Sequence, residues 1–183
     1  MRKIIVSFLA VTLCLLFSQS IKAEIKLPAI VSSNMVLQRN TTVVLWGWAD
    51  ANEKITIETS WLKQKMKLKA DNEGNWRIEV ETTNSKATQR IKISSEASDI
   101  ILENILFGEV WLCSGQSNMY QPLKGYNGQP TFGSNTAVAK SYNTNLRLFS
   151  VDKVGSKTPM QDIENYTAWQ GHAVFRSRLS LSV

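Results

Sequence analysis

Between Ile30 and about Leu102, apolar and polar positions alternate in short runs rich in β-branched and aromatic residues, with turn residues recurring roughly every ten positions. The run Thr42-Val43-Val44-Leu45-Trp46-Gly47-Trp48 predicts a strand, and Ala49 to Asn52 the turn after it. Lys54 to Trp61 alternates next. Gln64 to Ala70 sets Met66 and Leu68 on one face and lysines on the other, as in a strand with one side in water. Asp71 to Asn75 is a turn, and Trp76 to Glu81 and Gln89 to Ser94 repeat the alternation. About six strands at this spacing predict a small β-sandwich. Trp46, Trp48, Trp61 and Trp76 fall on these strands. They could stack on sugars, but tryptophan on alternating strands more often fills a core, and the core reading is preferred.

The texture changes after Asn104. Ile105 to Cys113 is a nearly continuous apolar run, the pattern of a strand buried on both faces. It ends in the tight-turn sequence Ser114-Gly115-Gln116-Ser117-Asn118-Met119, and Pro122, Gly125, Gly128, Pro130 and Gly133 make the next stretch a loop. Ser134 or Asn135 would cap a short helix over about 136–142, leading through Asn143-Thr144-Asn145 into an apolar strand from Leu146 to Val151. Strand, loop, helix and strand form a βαβ unit, so a parallel sheet is expected here. The fold class is therefore two-part. An all-β sandwich over residues 24–103 precedes the first βαβ portion of an incomplete α/β domain over 104–170, with the junction near Asp99 to Asn104 and an atypical tail at 171–183.

The amino terminus belongs to neither part. Met1-Arg2-Lys3 is followed by fourteen residues, Ile4 to Phe17, without a charge. That is the layout of a secretory signal, with cleavage expected after Ala23. The run is too short to cross a hydrocarbon core of ~30 Å comfortably, so no stable membrane insertion is expected once residues 1–23 are removed. The formal charge of +6, less the three cations Arg2, Lys3 and Lys22, leaves +3. The lysines from Lys63 to Lys69 then read as the solvent face of a strand, and a nucleic-acid partner is rejected. A secreted or periplasmic location follows. Cys113 is then the remaining cysteine, which excludes an intramolecular disulfide, and His172 is the single histidine. A multi-histidine metal site is excluded, and no metal is expected.

Ser117 stands in a Gly-x-Ser turn just after a buried strand, where α/β folds place their active sites. A serine hydroxyl there needs a histidine to take its proton and backbone N–H groups facing the developing oxyanion, and Gly115 leaves room for substrate. The triplet alone is common in ordinary turns and lacks the second glycine of the Gly-x-Ser-x-Gly elbow. The longer string is specific: Gly108-Glu109-Val110-Trp111-Leu112-Cys113-Ser114-Gly115-Gln116-Ser117-Asn118-Met119 closely resembles the first block of the sialate O-acetylesterases, relatives of the SGNH hydrolases. The resemblance takes in Leu27-Pro28 to Leu37-Gln38, with its Asn-Met-Val-Leu-Gln pattern at Asn34 to Gln38. It extends to Val44 to Ala49, Gly74-Asn75-Trp76 and Asn145 to Phe149, covering about residues 27–170.

The resemblance implies a secreted carbohydrate esterase that removes O-acetyl groups from sialic acid or a similar sugar, without a cofactor, through an acetyl-serine formed on Ser117. The backbone N–H of Ser117 would also donate to the oxyanion, and Gly115, Gln116, Asn118 and Met119 would contact substrate. The family's catalytic histidine and its acidic partner lie far toward the carboxyl end of a much longer chain. His172 falls in no matching motif, and Phe175 to Val183 departs from the family pattern. The expectation is a truncated or frameshifted product of impaired activity. The competing reading is a secreted carbohydrate-binding sandwich without catalysis, its tryptophans exposed and Ser117 an ordinary turn serine.

Overall fold

A computed structural model describes residues 24–115, 122, 125–140, 143, 145–152 and 154–171. The expected signal segment 1–23, Ser117 and His172 lie outside the described residues.

The described chain is mostly β. Its strands are β1 (Val36–Gln38), β2 (Thr42–Trp48), β3 (Lys54–Thr59), β4 (Met66–Lys69), β5 (Asn75–Glu81), β6 (Gln89–Ser94), β7 (Asp99–Gly108), β8 (Gly125–Tyr126), β9 (Gln129–Pro130), β10 (Arg147–Val151) and β11 (Tyr166–Gly171), with one helix, α1 (Ser134–Lys140). A five-stranded sheet runs in the order β1-β7-β6-β3-β4, and β2 pairs antiparallel with β5 in a separate ladder.

Alternation drives both sheets. Ile55 and Ile57 on β3 and Ile91 and Ile93 on β6 point inward with polar residues between them. Each such isoleucine contributes about 1.5–3 kcal/mol of burial. Leu45, Trp76 and Val80 from the β2–β5 ladder enter the same apolar cluster, so the two sheets share one core. On β4, Met66 and Leu68 are half-buried and their lysine neighbours exposed, as the pattern predicted.

Trp76 is a core residue, and Trp46 and Trp61 pack half-buried against the cluster. Trp61 donates its Nε1–H to the Glu81 carbonyl at 2.7 Å and meets Phe107 edge-on at 4.9 Å. Trp48 is half-buried, outside the cluster, with the Lys26 ammonium 5.6 Å from its ring centroid. The core expectation is thus met in full by Trp76 and only in part by the other three.

Two expectations about the later chain are corrected. The apolar run does not continue as a strand to Cys113. It belongs to β7, which begins at Asp99, runs through the expected junction with Asn104 at φ 56°, and ends at Gly108. The reason is pairing: β1 lies parallel to β7 with Gln38 opposite Gly108, and Arg39 donates to the Gly108 carbonyl. No described strand offers ladder bonds beyond that point. The parallel βαβ unit is also absent among the described residues, because β10 pairs antiparallel with β11, with Leu148 opposite Gln170 and Val151 opposite Tyr166. Phe149 stacks on Tyr166 at 5.4 Å and leans on Trp169 at the same distance, which gives this hairpin an aromatic face of its own. The helix forms at Ser134–Lys140, beginning at the residues expected to cap it.

Candidate active site

The parallel β1–β7 pair sets Val36 to Gln38 beside Leu106 to Gly108, where the block from Gly108 to Met119 begins. Where β7 ends, side chains replace ladder bonds. Gln38 donates through Nε2 to Glu109 Oε2 at 2.8 Å and accepts at Oε1 from the Val110 N–H at 2.8 Å. Arg39 Nε meets Glu109 Oε1 at 2.7 Å. The Gln38 hydrogen bond, and next the Arg39 guanidinium, hold the Glu109 carboxyl below its ordinary value. These contacts fix the direction in which the chain leaves the sheet toward Gly115.

From Glu109 to Gly115 the chain is exposed and outside any strand. Trp111 and Leu112 stand 82% and 96% exposed, and Cys113 is a free, exposed thiol. Among the expected site residues, Gly115 is described and exposed. Gln116, Ser117, Asn118 and Met119 lie outside the described residues. No group of three or more His, Cys, Asp or Glu capable of holding a metal ion occurs among the described residues. No described helix is long and apolar enough to cross a membrane.

A second set of contacts ties the β10–β11 hairpin to the amino-terminal segment. Arg147 Nη2 donates to Asn104 Oδ1 at 3.1 Å and Nη1 to Asn34 Oδ1 at 3.4 Å, while Asn104 Nδ2 donates to Asn34 Oδ1 at 2.7 Å. Both asparagines have positive φ, a conformation Asn tolerates better than most residues. Trp169 donates to the Ile30 carbonyl at 2.8 Å, and Asp162 accepts from the Ala29 N–H at 2.8 Å. Sequence reasoning singled out the Asn34–Gln38 and Gly108–Met119 strings but missed that Gln38 grips Glu109 and Val110. Their separation of about seventy positions hides the pair, because hydrogen-bond partners across a parallel pairing leave no local periodicity.

No family model matches the chain. In sequence it is 24% identical to a human sialate O-acetylesterase over 143 residues, covering 73% of this chain and 26% of the human protein. It is 26% identical to the rat sialate O-acetylesterase over 145 residues, with the same two coverages. In structure it matches a carbohydrate acetylesterase from Xanthomonas citri with a TM-score of 0.71 and 26% identity, over 81% of this chain and 32% of that one. The chain thus spans about a quarter of the length of the curated relatives it matches. The chain is thus similar in sequence to sialate O-acetylesterases and in fold to a solved carbohydrate acetylesterase.

Proposed function

We propose that this chain carries the nucleophile of a secreted or periplasmic serine esterase that removes O-acetyl groups from sialic acid or a similar sugar. One observation carries the reading: the block Gly108 to Met119 leaves β7 in a direction set by Gln38 and Arg39, within a chain that matches acetylesterases in sequence and fold. In this reading Ser117 Oγ attacks the acetyl carbonyl carbon as a base takes its proton, and the tetrahedral oxyanion is held in part by the Ser117 N–H. Collapse expels the sugar hydroxyl, which regains a proton, and leaves acetyl-serine. Water attack then releases acetate and restores the serine. Gly115, Gln116, Asn118 and Met119 line the approach of the acetylated sugar. No cofactor takes part, and the resemblance puts the base in a later block of the family.

The same reading makes residues 24–103 a β-sandwich, with the shared core of the β2–β5 ladder and the five-stranded sheet in its support. It makes 104–170 the start of an SGNH-like domain, entered through β7 and without the parallel pairing corrected above. The test is acetate release from O-acetylated sialic acid by the protein joined to the family's later block with its base, with Ser117 intact and as Ser117→Ala. Removing the nucleophile should lower the rate by about 10³-fold or more. Equal rates in the two proteins would refute it.

A further inference from the structure

The face of the β2–β5 ladder turned away from the core is not a plain solvent face. Trp46, half-buried with part of its side chain against the core cluster, and Trp48 line it two residues apart along β2, a step of about 6.6 Å. That is comparable with the step from one ring to the next in a pyranose chain. Directly across on β5, Arg77 is opposite Trp46 and Asn75 is opposite Trp48. Asp71 from the preceding turn and Gln161 from the segment before β11 close the same groove, which has a volume of about 520 Å³. That is within the range of ordinary small-ligand sites.

The chemistry of these groups is selective. Two indoles offer apolar faces, while a guanidinium, two amides and a carboxylate offer planar donors and acceptors around them. Among the described residues, no hydrogen-bond or ion-pair partner is found for the exposed Arg77 guanidinium. Asp71 is held in position by the Glu73 and Asn75 N–H groups, at 2.9 and 2.8 Å. Arg77 and Asp71 oppose each other in charge, which disfavours a polyanion. An apolar peptide would leave the polar ring desolvated and unpaired. A sugar chain meets both demands, with C–H faces for the indoles and hydroxyls for the forked groups.

We propose that this groove binds a neutral oligosaccharide spanning at least two pyranose rings. The test is calorimetric titration of the Ser117→Ala protein with cellohexaose, xylohexaose and mannohexaose, and with glucose as the single-ring control. At least one hexasaccharide should saturate a single site, and glucose should bind more weakly. Trp48→Ala and Arg77→Ala should each weaken binding by about tenfold, and Trp48→Phe should keep most of it. Arg77 is exposed, so Arg77→Ala should unfold at the parent temperature, and Trp48→Ala is read once its melting shows a folded protein. Failure of every hexasaccharide to bind, or binding indifferent to Trp48→Ala in a folded protein, would overturn the proposal. Because the titration is run without the nucleophile, neither result bears on the esterase reading.

Discussion

Gly47 sits in the middle of β2, where strand propensity alone would favour almost any other residue. Its φ is not in the left-handed region, so alanine would fit the backbone, and relief of glycine's entropy should then add about 0.5–1 kcal/mol. The packing argues the opposite. A Cβ at Gly47 would press on the carbonyl oxygen of Lys26 and come within 2.7 and 3.0 Å of Cζ2 and Cε2 of Trp76. Neither neighbour moves cheaply. The Lys26 carbonyl accepts from the Trp48 N–H at 2.8 Å, and the return bond from the Lys26 N–H is also 2.8 Å, so displacing it costs about 1 kcal/mol. Trp76 is buried in the core, where forced overpacking costs about 1–3 kcal/mol. Net of the entropic gain, Gly47→Ala should destabilise by about 1–3 kcal/mol. Urea unfolding followed by tryptophan fluorescence would show the midpoint falling at unchanged slope. Gly155→Ala is the control, since nothing lies within 4 Å of its new methyl group, and it should leave the midpoint in place. A Gly47→Ala protein as stable as its parent would mean that Lys26 and Trp76 do not close over this strand as described.

Arg147→Met should cut the hairpin's ties to Asn34 and Asn104. Amide exchange over β10 and β11 should accelerate by about tenfold, equivalent to ~1.4 kcal/mol, while β3 and β6 stay protected; unchanged exchange in the hairpin would count against the tie. The carboxyls of Asp71, Asp99 and Glu109 all sit below their ordinary values, held chiefly by the Asn75 backbone N–H, the Lys92 ammonium and the Gln38 amide respectively. Groups shifted in this sense stabilise the fold above their ordinary values, 3.8 for the aspartates and 4.5 for Glu109, and lose that contribution as pH falls through the lower folded values. The melting temperature should therefore drop between pH 5 and about pH 2, less so in Glu109→Gln, and a rise on acidification would contradict the signs. Limited proteolysis should first cut within the exposed Glu109–Gly115 segment and leave β2 to β7 intact; cleavage inside β6 first would refute it.

The sheets were legible where one face is wet. Lys54, Thr56 and Glu58 alternate with buried or half-buried neighbours, and β2 and β6 occupy the residues their alternation marked out. The short strand β1 was not legible, because Val36-Leu37-Gln38 is too brief to show a period and exists by pairing with β7. The same pairing explains the misread end of the apolar run. Hydrophobicity continues through Val110, Trp111 and Leu112, but strand structure needs a partner's backbone, and the last bond is the one from Arg39 to Gly108. Apolar content marks which residues seek cover, whereas the ladder decides which are strands.

The site divides along a similar line. The string from Gly108 to Met119 stands out in the sequence because it is specific, but the groups that hold its start are ordinary residue types far away in sequence. Gln38 and Arg39 look like the polar end of a strand, and Glu109 like a solvent-facing acid. Only the parallel register puts Gln38 beside the chain as it leaves β7, where its amide satisfies the Val110 N–H and the Glu109 carboxylate together. A parallel pair joins residues some seventy positions apart with no turn between them, so no local pattern can announce it. The segment Asn34 to Gln38, which ends in β1, therefore makes two separate sets of contacts. Asn34 receives Arg147 from the hairpin, and Gln38 holds Val110 as the chain leaves β7. A shift of β1 by a single residue would turn Gln38 to the opposite face and release both contacts on its side of the block.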